Sequence, residues 1–305
     1  MNFPEKLKKG DTVALVAPSS PTSREKVDLS EQFLRDMGYQ VVVADSVYKT
    51  RHGYQSGPGK DRAEDINRVF ADPQVKGVFC IGGGSTSSHV LPHIDIDVVR
   101  AHPKVFVGYS DVTNLHIYFQ QEADLVTFHG PMVATNMIKD YDDFSRKAFE
   151  DVLFMDQEHT LENPPGVPFV CVRPGKAQGR LTGGNLALVT SMIGTPYEID
   201  TKSKVLFVED TNENISRVDR MLHQLKYSGK FDDALAVLIG DFKNCENQAD
   251  KSYGLHELIA DFFKDYDKPV IDNVQAGHCV PTSTLPLGMQ CRVDADTLTI
   301  TFLKR

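Results

Sequence analysis

The chain has 305 residues, of which 41% are hydrophobic and 25% charged, values that are ordinary for a folded globular protein with one or two cores. Its net charge of -9 argues against a nucleic-acid partner, which would favour a basic surface. No stretch reaches the roughly 20 apolar residues of a membrane span, and the start shows no apolar region of signal-peptide length. Five widely spaced cysteines without a CxxC pair are typical of reduced thiols. We therefore expect a cytoplasmic protein with no membrane partner.

Strand and helix patterns alternate through the first half of the chain. The predicted strands are DTVALVAP, YQVVVA, VKGVFCI, KVFVGY and DLVTF, and the predicted helices are REKVDLSEQFLRDMG, KDRAEDINRVFAD and DVTNLHIYFQQ. Short apolar strands separated by helices are typical of a parallel sheet covered on both faces. The sequence therefore predicts an N-terminal α/β domain over residues 1–154.

A segment rich in proline and glycine follows, and we interpret residues 155–179 as a linker. Beyond it, the patterns predict helices in GGNLALVTSMIG, ISRVDRMLHQLKYSG and LHELIADFFKDY, and strands in KVLFVE, ALAVLIG and PVIDNV. The tail MQCRVDADTLTITFL predicts two strands joined by a turn, which would form a hairpin at the sheet edge. Residues 180–305 are thus predicted to form a second α/β-type domain.

Three polar residues come soon after predicted strands, at the edge where parallel sheets bind ligands. Ser110 follows KVFVGY, Glu209 follows KVLFV, and His278 follows PVIDNVQAG. A serine hydroxyl becomes a nucleophile when a base is within hydrogen-bond reach and a third group orients that base. A strand-to-helix turn would raise the Ser110 hydroxyl above the sheet, where the backbone N–H of Asp111 could face a developing oxyanion. These residue types predict a serine hydrolase.

The stretch Cys80–Ser85 reads CIGGGS and follows another predicted strand. Its three glycines expose backbone N–H groups, which could complete an oxyanion hole. A phosphate cradle is less favoured because no lysine follows, and because Ser87 occupies the third glycine position of the dinucleotide fingerprint. An ordinary glycine-rich turn is the alternative.

Each candidate also has a structural interpretation. The serine and aspartate of GYSD would suit a helix N-cap and first turn. Glu209 competes with the adjacent Asp210, and His278 competes with His129, which follows the strand LVTF. From the residue pattern alone, these alternatives stay open.

Metal chemistry finds little support in the sequence. His256–Glu257 begins like the H-E-x-x-H motif, but Ala260 occupies the place of the second histidine. We therefore predict no metal and no other cofactor.

Several stretches resemble the LD-carboxypeptidase family of serine peptidases, which includes murein tetrapeptide carboxypeptidases and microcin-immunity hydrolases. They are DRAEDINRVFADPQVKGVF, PKVFVGYSDVTNLHIYF, LVTFHGPM, LTGGNLALVTSMIGTPYEID and KVLFVEDTNENISRVDRMLHQL. The likeness extends over nearly the whole chain, from KGDTVALVAPSSP to GHCVPTSTLPLGM. The resemblance implies an active site between the two domains, a homodimer and no metal.

The resemblance also implies roles for individual residues. Ser110 would be the nucleophile, His278 the general base and Glu209 the group that orients the base. The backbone N–H groups of Gly84 and Asp111 would form the oxyanion hole. Gly83 and Ser85 are further candidates for substrate binding, and Asn185 and Arg180 are candidates only because of their position near the first helix of the second domain.

One departure from the family pattern concerns the substrate. Murein-recycling members usually carry Arg-Gly-Gly-Tyr-Gly where this chain has Gly82–Thr86, and the stretch Ser87–Pro92 is closer to the microcin-immunity branch. That branch stacks a tryptophan on a nucleotide base, and this chain contains no tryptophan. We expect an L,D-carboxypeptidase that releases C-terminal D-alanine from murein tetrapeptide. The alternatives are a hydrolase of peptidyl- or aminoacyl-nucleotides and a non-catalytic small-molecule binding protein.

Overall fold

The computed structural model describes residues 2–304, which divide into two compact units. The first unit runs through Phe154 and includes Thr284–Gly288. The second contains Met155–Ser283 and the chain from Met289 onward. Within residues 2–304, no helix combines the length and the apolar character that crossing a membrane requires.

The strands and helices follow one another much as the sequence patterns predict. In chain order the strands are β1 (Thr12–Val16), β2 (Gln40–Val43), β3 (Val75–Cys80), β4 (Val105–Gly108), β5 (Thr127–His129), β6 (His159–Thr160), β7 (Val170–Arg173), β8 (Lys176–Asn185), β9 (Lys204–Thr211), β10 (Ala236–Lys243), β11 (Val270–Asp272), β12 (Leu285–Leu287), β13 (Gln290–Asp294) and β14 (Thr299–Phe302). The helices are α1 (Arg24–Asp36), α2 (Gly59–Ala71), α3 (Ile96–Ala101), α4 (Thr113–Glu122), α5 (Asp143–Leu153), α6 (Leu186–Ser191), α7 (Ile215–Tyr227), α8 (Lys230–Asp233) and α9 (Leu255–Phe263).

In the described part of the first unit, six strands form a sheet in the order β12-β5-β4-β3-β1-β2. Strands β1 to β5 run parallel, and β12 is antiparallel to β5. All four residues of β4 are buried, as expected for a strand whose two faces are both covered. Helix α1 turns Val27 and Leu34 into the core, and the side chain of Ser23 caps its first turn. The predicted parallel α/β architecture is confirmed.

In residues 155–283 and 289–304, eight strands form a sheet in the order β6-β14-β13-β8-β9-β10-β11-β7. Strands β8 to β11 run parallel, and the other neighbours pair antiparallel. The predicted C-terminal hairpin is confirmed, since β13 pairs antiparallel with β14 and places Cys291 opposite Phe302. Only the two-residue β6 lies beyond it on that side of the sheet.

The segment 155–179, expected to be a linker, contributes strands to the second sheet instead. It supplies the two outermost strands, β6 and β7, and the start of β8. Proline excludes a central strand but is compatible with an edge strand, which pairs on one side only. The predicted second domain, 180–305, also differs from the observed unit because Thr284–Gly288 adds β12 to the first sheet.

The helix predicted over residues 183–194 is shorter than expected and spans Leu186–Ser191. Gly183 and Gly184, with φ of +123° and +139°, belong to the end of β8. A Cβ at Gly183 would collide with the carbonyl oxygen of Phe207 in β9. The close approach of β8 to β9 therefore requires glycine at this position.

We expect Gly183→Ala to lower the free energy of unfolding by about 3 kcal/mol or more, because the backbone of β9 would have to move. Gly194→Ala is the matched control, since Gly194 also has a positive φ (+82°) but would place its Cβ in open space. The control substitution should lower the free energy of unfolding by only about 1 kcal/mol. Urea unfolding of both variants measures the difference, and equal losses would rule out the close-contact explanation.

Candidate active site

Ser110 lies at a strained turn between β4 and α4. It is the first residue of a 3-10 turn, Ser110–Val112, and its φ is +61°. A residue other than glycine held in this conformation costs about 1–3 kcal/mol and needs support from its surroundings. The residue that precedes α4 is Val112, whose side chain makes no capping hydrogen bond, so the interpretation of Ser110 as the helix N-cap is wrong. A strained strand-to-helix turn of this kind raises the nucleophile in α/β-hydrolases.

The glycine-rich loop after β3 lies against Ser110. A Cβ added to Gly83 would be 3.1 Å from the Ser110 Oγ, and one added to Gly84 (φ +148°) would collide with the hydroxyls of Ser19 and Ser20. The absence of side chains therefore lets the loop backbone approach the serine closely. Ser85, the next residue, is exposed.

The Asp111 carboxylate fastens this loop to the serine turn. Asp111 is fully buried, and its Oδ2 accepts hydrogen bonds of 2.8 Å from the backbone N–H groups of Thr86 and Ser87. The Ser87 hydroxyl in turn donates to the Asp111 carbonyl oxygen at 2.6 Å. Both backbone segments that carry the predicted oxyanion donors, at Gly84 and Asp111, are thus held in one hydrogen-bonded network.

A buried arginine supports the same loop from behind. Arg62 of α2 is 1% exposed and donates to the carbonyl oxygens of Ser19 and Thr86 and to the Thr86 Oγ1, at 3.3, 3.2 and 3.0 Å. Burial lowers the pKa of the guanidinium, and the negative charge of Asp111 opposes that shift. The positive charge of Arg62 therefore compensates the buried Asp111 carboxylate.

In the second unit, Glu209 and His278 form a hydrogen-bonded pair, in which the carboxylate is buried and the imidazole is half-buried. Glu209 lies in β9 with no exposed surface, and its Oε2 is 2.7 Å from Nδ1 of His278. Gly277 has a φ of +121°, and a Cβ there would lie 2.6 Å from the same Oε2. Glycine before the histidine therefore allows the chain to bring the imidazole onto the carboxylate.

The neighbouring Asp210 serves a different purpose. Its Oδ1 accepts from Asn185 Nδ2 at 3.0 Å, and its Oδ2 accepts from the backbone N–H of Ala187 at 3.0 Å. Burial raises the pKa of Asp210 to about 6. Asn185 also caps α6 by accepting from the N–H of Leu188. Both side chains therefore hold the start of α6, which leaves Glu209 as the carboxylate on the histidine.

His129, the competing histidine, lies in β5 of the first unit and is 1% exposed. Its ring is 5.7 Å from that of Tyr109 and 6.3 Å from that of His116. His129 is thus part of an aromatic cluster. Arg180, a candidate for substrate binding, lies in β8 opposite Gln290 of β13 and is half-buried.

The sequence pattern does not indicate three further functional candidates, which are the Asp111 side chain, Arg62 and Asp241. Asp241 lies near the carboxyl end of β10, and its charge interacts with that of His278. The rule that selected Ser110 and Glu209, a polar residue directly after an apolar strand, applies equally to Asp241 after ALAVLIG. Arg62 sits in an amphipathic helix, and its pattern gives no sign that it is buried.

The sequences of the two units match known family models. Residues 13–130 match the LD-carboxypeptidase N-terminal domain, and residues 178–293 match the C-terminal domain. The chain belongs to the LD-carboxypeptidase family. The membership expected from the GYSD, LFVED and GH stretches is therefore confirmed.

Individual relatives match at least 95% of the chain. A probable murein peptide carboxypeptidase of Bacillus subtilis is 40% identical over 292 residues, which span 95% of this chain and 91% of the relative. The crystal structure of a muramoyltetrapeptide carboxypeptidase from Oxalobacter formigenes has a TM-score of 0.82 at 26% identity, with 95% and 97% of the two chains covered. The structure of the microcin C7 self-immunity protein MccF in complex with aspartyl sulfamoyl adenosine has a TM-score of 0.90 at 25% identity, with 100% and 99% covered.

We expect Asp111→Ala to lower the free energy of unfolding by about 2–4 kcal/mol, because the buried N–H groups of Thr86 and Ser87 would lose their acceptor. Asp28→Ala is the control, because Asp28 is an exposed ion-pair partner of Arg24. This substitution should lower the free energy of unfolding by about 0.5 kcal/mol or less. Chemical denaturation measures both, and amide hydrogen exchange should become faster at Thr86 and Ser87 in the first variant only. Unchanged exchange at these two amides would contradict the anchoring role.

Proposed function

We propose that the protein is a serine peptidase that releases C-terminal D-alanine from a murein tetrapeptide and needs no metal. The observation that carries the proposal is the 2.7 Å contact between Glu209 and His278 in a member of this family. A buried carboxylate at Nδ1 holds the imidazole in the tautomer whose Nε2 can accept a proton. The strained turn at Ser110 supports its assignment as the nucleophile.

In the proposed mechanism, His278 Nε2 takes the proton of the Ser110 hydroxyl as Oγ attacks the scissile carbonyl carbon. The backbone N–H groups of Gly84 and Asp111 hold the oxyanion that forms. The imidazolium then gives its proton to the nitrogen of the departing D-alanine. Water, activated by the same imidazole, hydrolyses the acyl-enzyme, while Glu209 orients the imidazole throughout.

The relatives support this substrate class. The 40% identical Bacillus subtilis relative is named as a probable murein peptide carboxypeptidase. We also expect a homodimer that acts in the cytoplasm on a small peptide, with no nucleic-acid partner. The candidates for substrate contact nearest the proposed nucleophile are Gly83, beside the hydroxyl, and the exposed Ser85.

A nucleotide-linked substrate is the second candidate. MccF, whose structure was solved with aspartyl sulfamoyl adenosine, matches this chain over its full length. The lack of tryptophan argues against the stacking on a nucleotide base that the microcin-immunity branch uses. To separate the two candidate functions, the purified protein is incubated with murein tetrapeptide and, in parallel, with an aminoacyl sulfamoyl adenosine, and the products are analysed by mass spectrometry. We expect the tetrapeptide to lose alanine and the aminoacyl sulfamoyl adenosine to remain intact.

Ser110→Ala and His278→Ala should each lower kcat by roughly four orders of magnitude or more, and Glu209→Ala should cost less. The reason is that the serine and histidine act as a unit, whereas the carboxylate acts through the histidine. The measurement is D-alanine release from the tetrapeptide. Ser191→Ala and His223→Ala, at the end of α6 and in α7, are controls that should keep wild-type kcat.

A fluorophosphonate probe tests the nucleophile without a substrate. It should label the wild-type protein and the Ser191→Ala control, and it should leave Ser110→Ala unlabelled. Full hydrolytic activity of the Ser110→Ala variant would rule out Ser110 as the nucleophile. An unlabelled wild-type protein without activity on either substrate would favour the binding-protein alternative.

Chelation should leave the rate of D-alanine release unchanged, because no step of the proposed mechanism uses a metal. The measurement compares kcat before and after dialysis against EDTA. Activity that is lost with EDTA and restored by zinc would overturn the serine assignment.

A further inference from the structure

One buried histidine joins the two sides of the turn that carries Ser110. His116 lies near the start of α4 and has no exposed surface. Its Nε2 is 2.8 Å from the carbonyl oxygen of Gly108, the last residue of β4. Its Nδ1 is 2.8 Å from the Oγ1 of Thr127 in β5, which is also fully buried. A single imidazole therefore connects the helix that follows the serine with the strand that precedes it and with the neighbouring strand.

These two contacts decide which ring nitrogen of His116 carries the proton. A carbonyl oxygen only accepts, so Nε2 must bear the hydrogen that is donated to Gly108. The neutral ring then has a lone pair at Nδ1, which accepts from the Thr127 hydroxyl. Burial lowers the pKa of His116 to about 4, which keeps the ring neutral at neutral pH. Of the two neutral tautomers, only the one with the proton on Nε2 fits both contacts.

Packing around the ring fixes its plane. The Phe106 ring of β4 lies edge-to-face against that of His116, with the two ring centres 5.3 Å apart. The Gly108 oxygen also accepts from the backbone N–H of Gly130 at 3.1 Å, so both of its lone pairs are used. The imidazole therefore holds the start of α4 at a fixed distance from the end of β4.

The two segments that His116 joins are separated by the short turn Tyr109–Val112. This turn contains Ser110 with its strained φ of +61°. Asp111 fastens the turn to the glycine-rich loop, whereas His116 holds its two ends together. A movement of α4 relative to β4 would shift the serine between them, and a misplacement of about 1 Å can lower a rate about 10²-fold.

We propose that His116 is a positioning residue: its neutral Nε2–H tautomer, set by Thr127, holds α4 against β4 and so keeps the Ser110 hydroxyl oriented for attack. The inference rests on the proposed serine peptidase function and adds to it a residue that does not touch the substrate. Loss of the two hydrogen bonds should therefore appear in kcat and in the reactivity of Ser110, and not in KM. A merely structural role would lower the stability of the fold and leave kcat of the folded protein unchanged.

The first test replaces each partner of the hydrogen bonds. In His116→Phe the ring keeps its approximate size but makes neither bond, so kcat for D-alanine release and the rate of fluorophosphonate labelling should both fall about 10- to 100-fold. KM should stay within about twofold. Thr127→Val should cause a smaller loss of the same kind, and Thr127→Ser, which keeps the hydroxyl, should react nearly like the wild type. An unchanged kcat and labelling rate in His116→Phe would overturn the inference.

Val27→Ala separates positioning from stability. Val27 is a fully buried residue of α1, far along the chain from the Ser110 turn, and its truncation destabilises the fold by leaving a cavity. At a temperature where urea unfolding shows both variants to be fully folded, His116→Phe should lose kcat and Val27→Ala should keep it. Equal losses in the two variants would mean that the histidine acts through stability alone.

Nitrogen NMR of protein labelled in its histidines tests the hydrogen bonds without any substrate. The signals of His116 are those that disappear in His116→Phe. At neutral pH they should show a protonated Nε2 and an unprotonated Nδ1. A proton on Nδ1 would contradict the tautomer on which the inference depends.

Hydrogen exchange distinguishes a failure of this inference from a failure of the proposed function. The N–H of Val112 donates to the carbonyl oxygen of Tyr109 at 3.2 Å and closes the turn, so its exchange should become faster in His116→Phe and not in Val27→Ala. If the wild type neither releases D-alanine nor reacts with the probe, but Val112 responds in this way, the peptidase proposal is wrong and the support of the turn by His116 stands. If the wild type is active and His116→Phe matches it in exchange and in kcat, the peptidase stands and the positioning role is wrong.

Discussion

The candidate nucleophile of the first unit, Ser110, is held in a backbone conformation that residues other than glycine rarely adopt. The positive φ of Ser110 persists because both sides of the turn are fixed: Asp111 is bonded to the glycine-rich loop, and His116 places Nε2 2.8 Å from the carbonyl oxygen of Gly108. Burial lowers the pKa of His116 to about 4, so this ring stays neutral and can serve as a permanent support. The strain is thus maintained by buried polar contacts around the turn.

In the second unit, two adjacent carboxylates have separate roles because side chains alternate along a strand. Glu209 points to His278, and Asp210, the next residue, points to the start of α6. Burial and the nearby charge of Glu209 both raise the pKa of Asp210. The hydrogen bonds from Asn185 and from the backbone N–H of Ala187 oppose that shift and stabilise the Asp210 carboxylate.

The sequence predicts the strands well because their apolar runs are short and bounded, and the strand-end rule selects Ser110, Glu209 and His278 as candidates. It cannot predict how distant segments pair. Asp111 meets Thr86 across 25 residues, and nothing local distinguishes its carboxylate from a first-turn aspartate. Gly183 and Gly184 precede a helical pattern, yet their positive φ values place them in a strand. The prolines in residues 155–179 argue against a central strand, but they are compatible with edge strands, which pair on one side only.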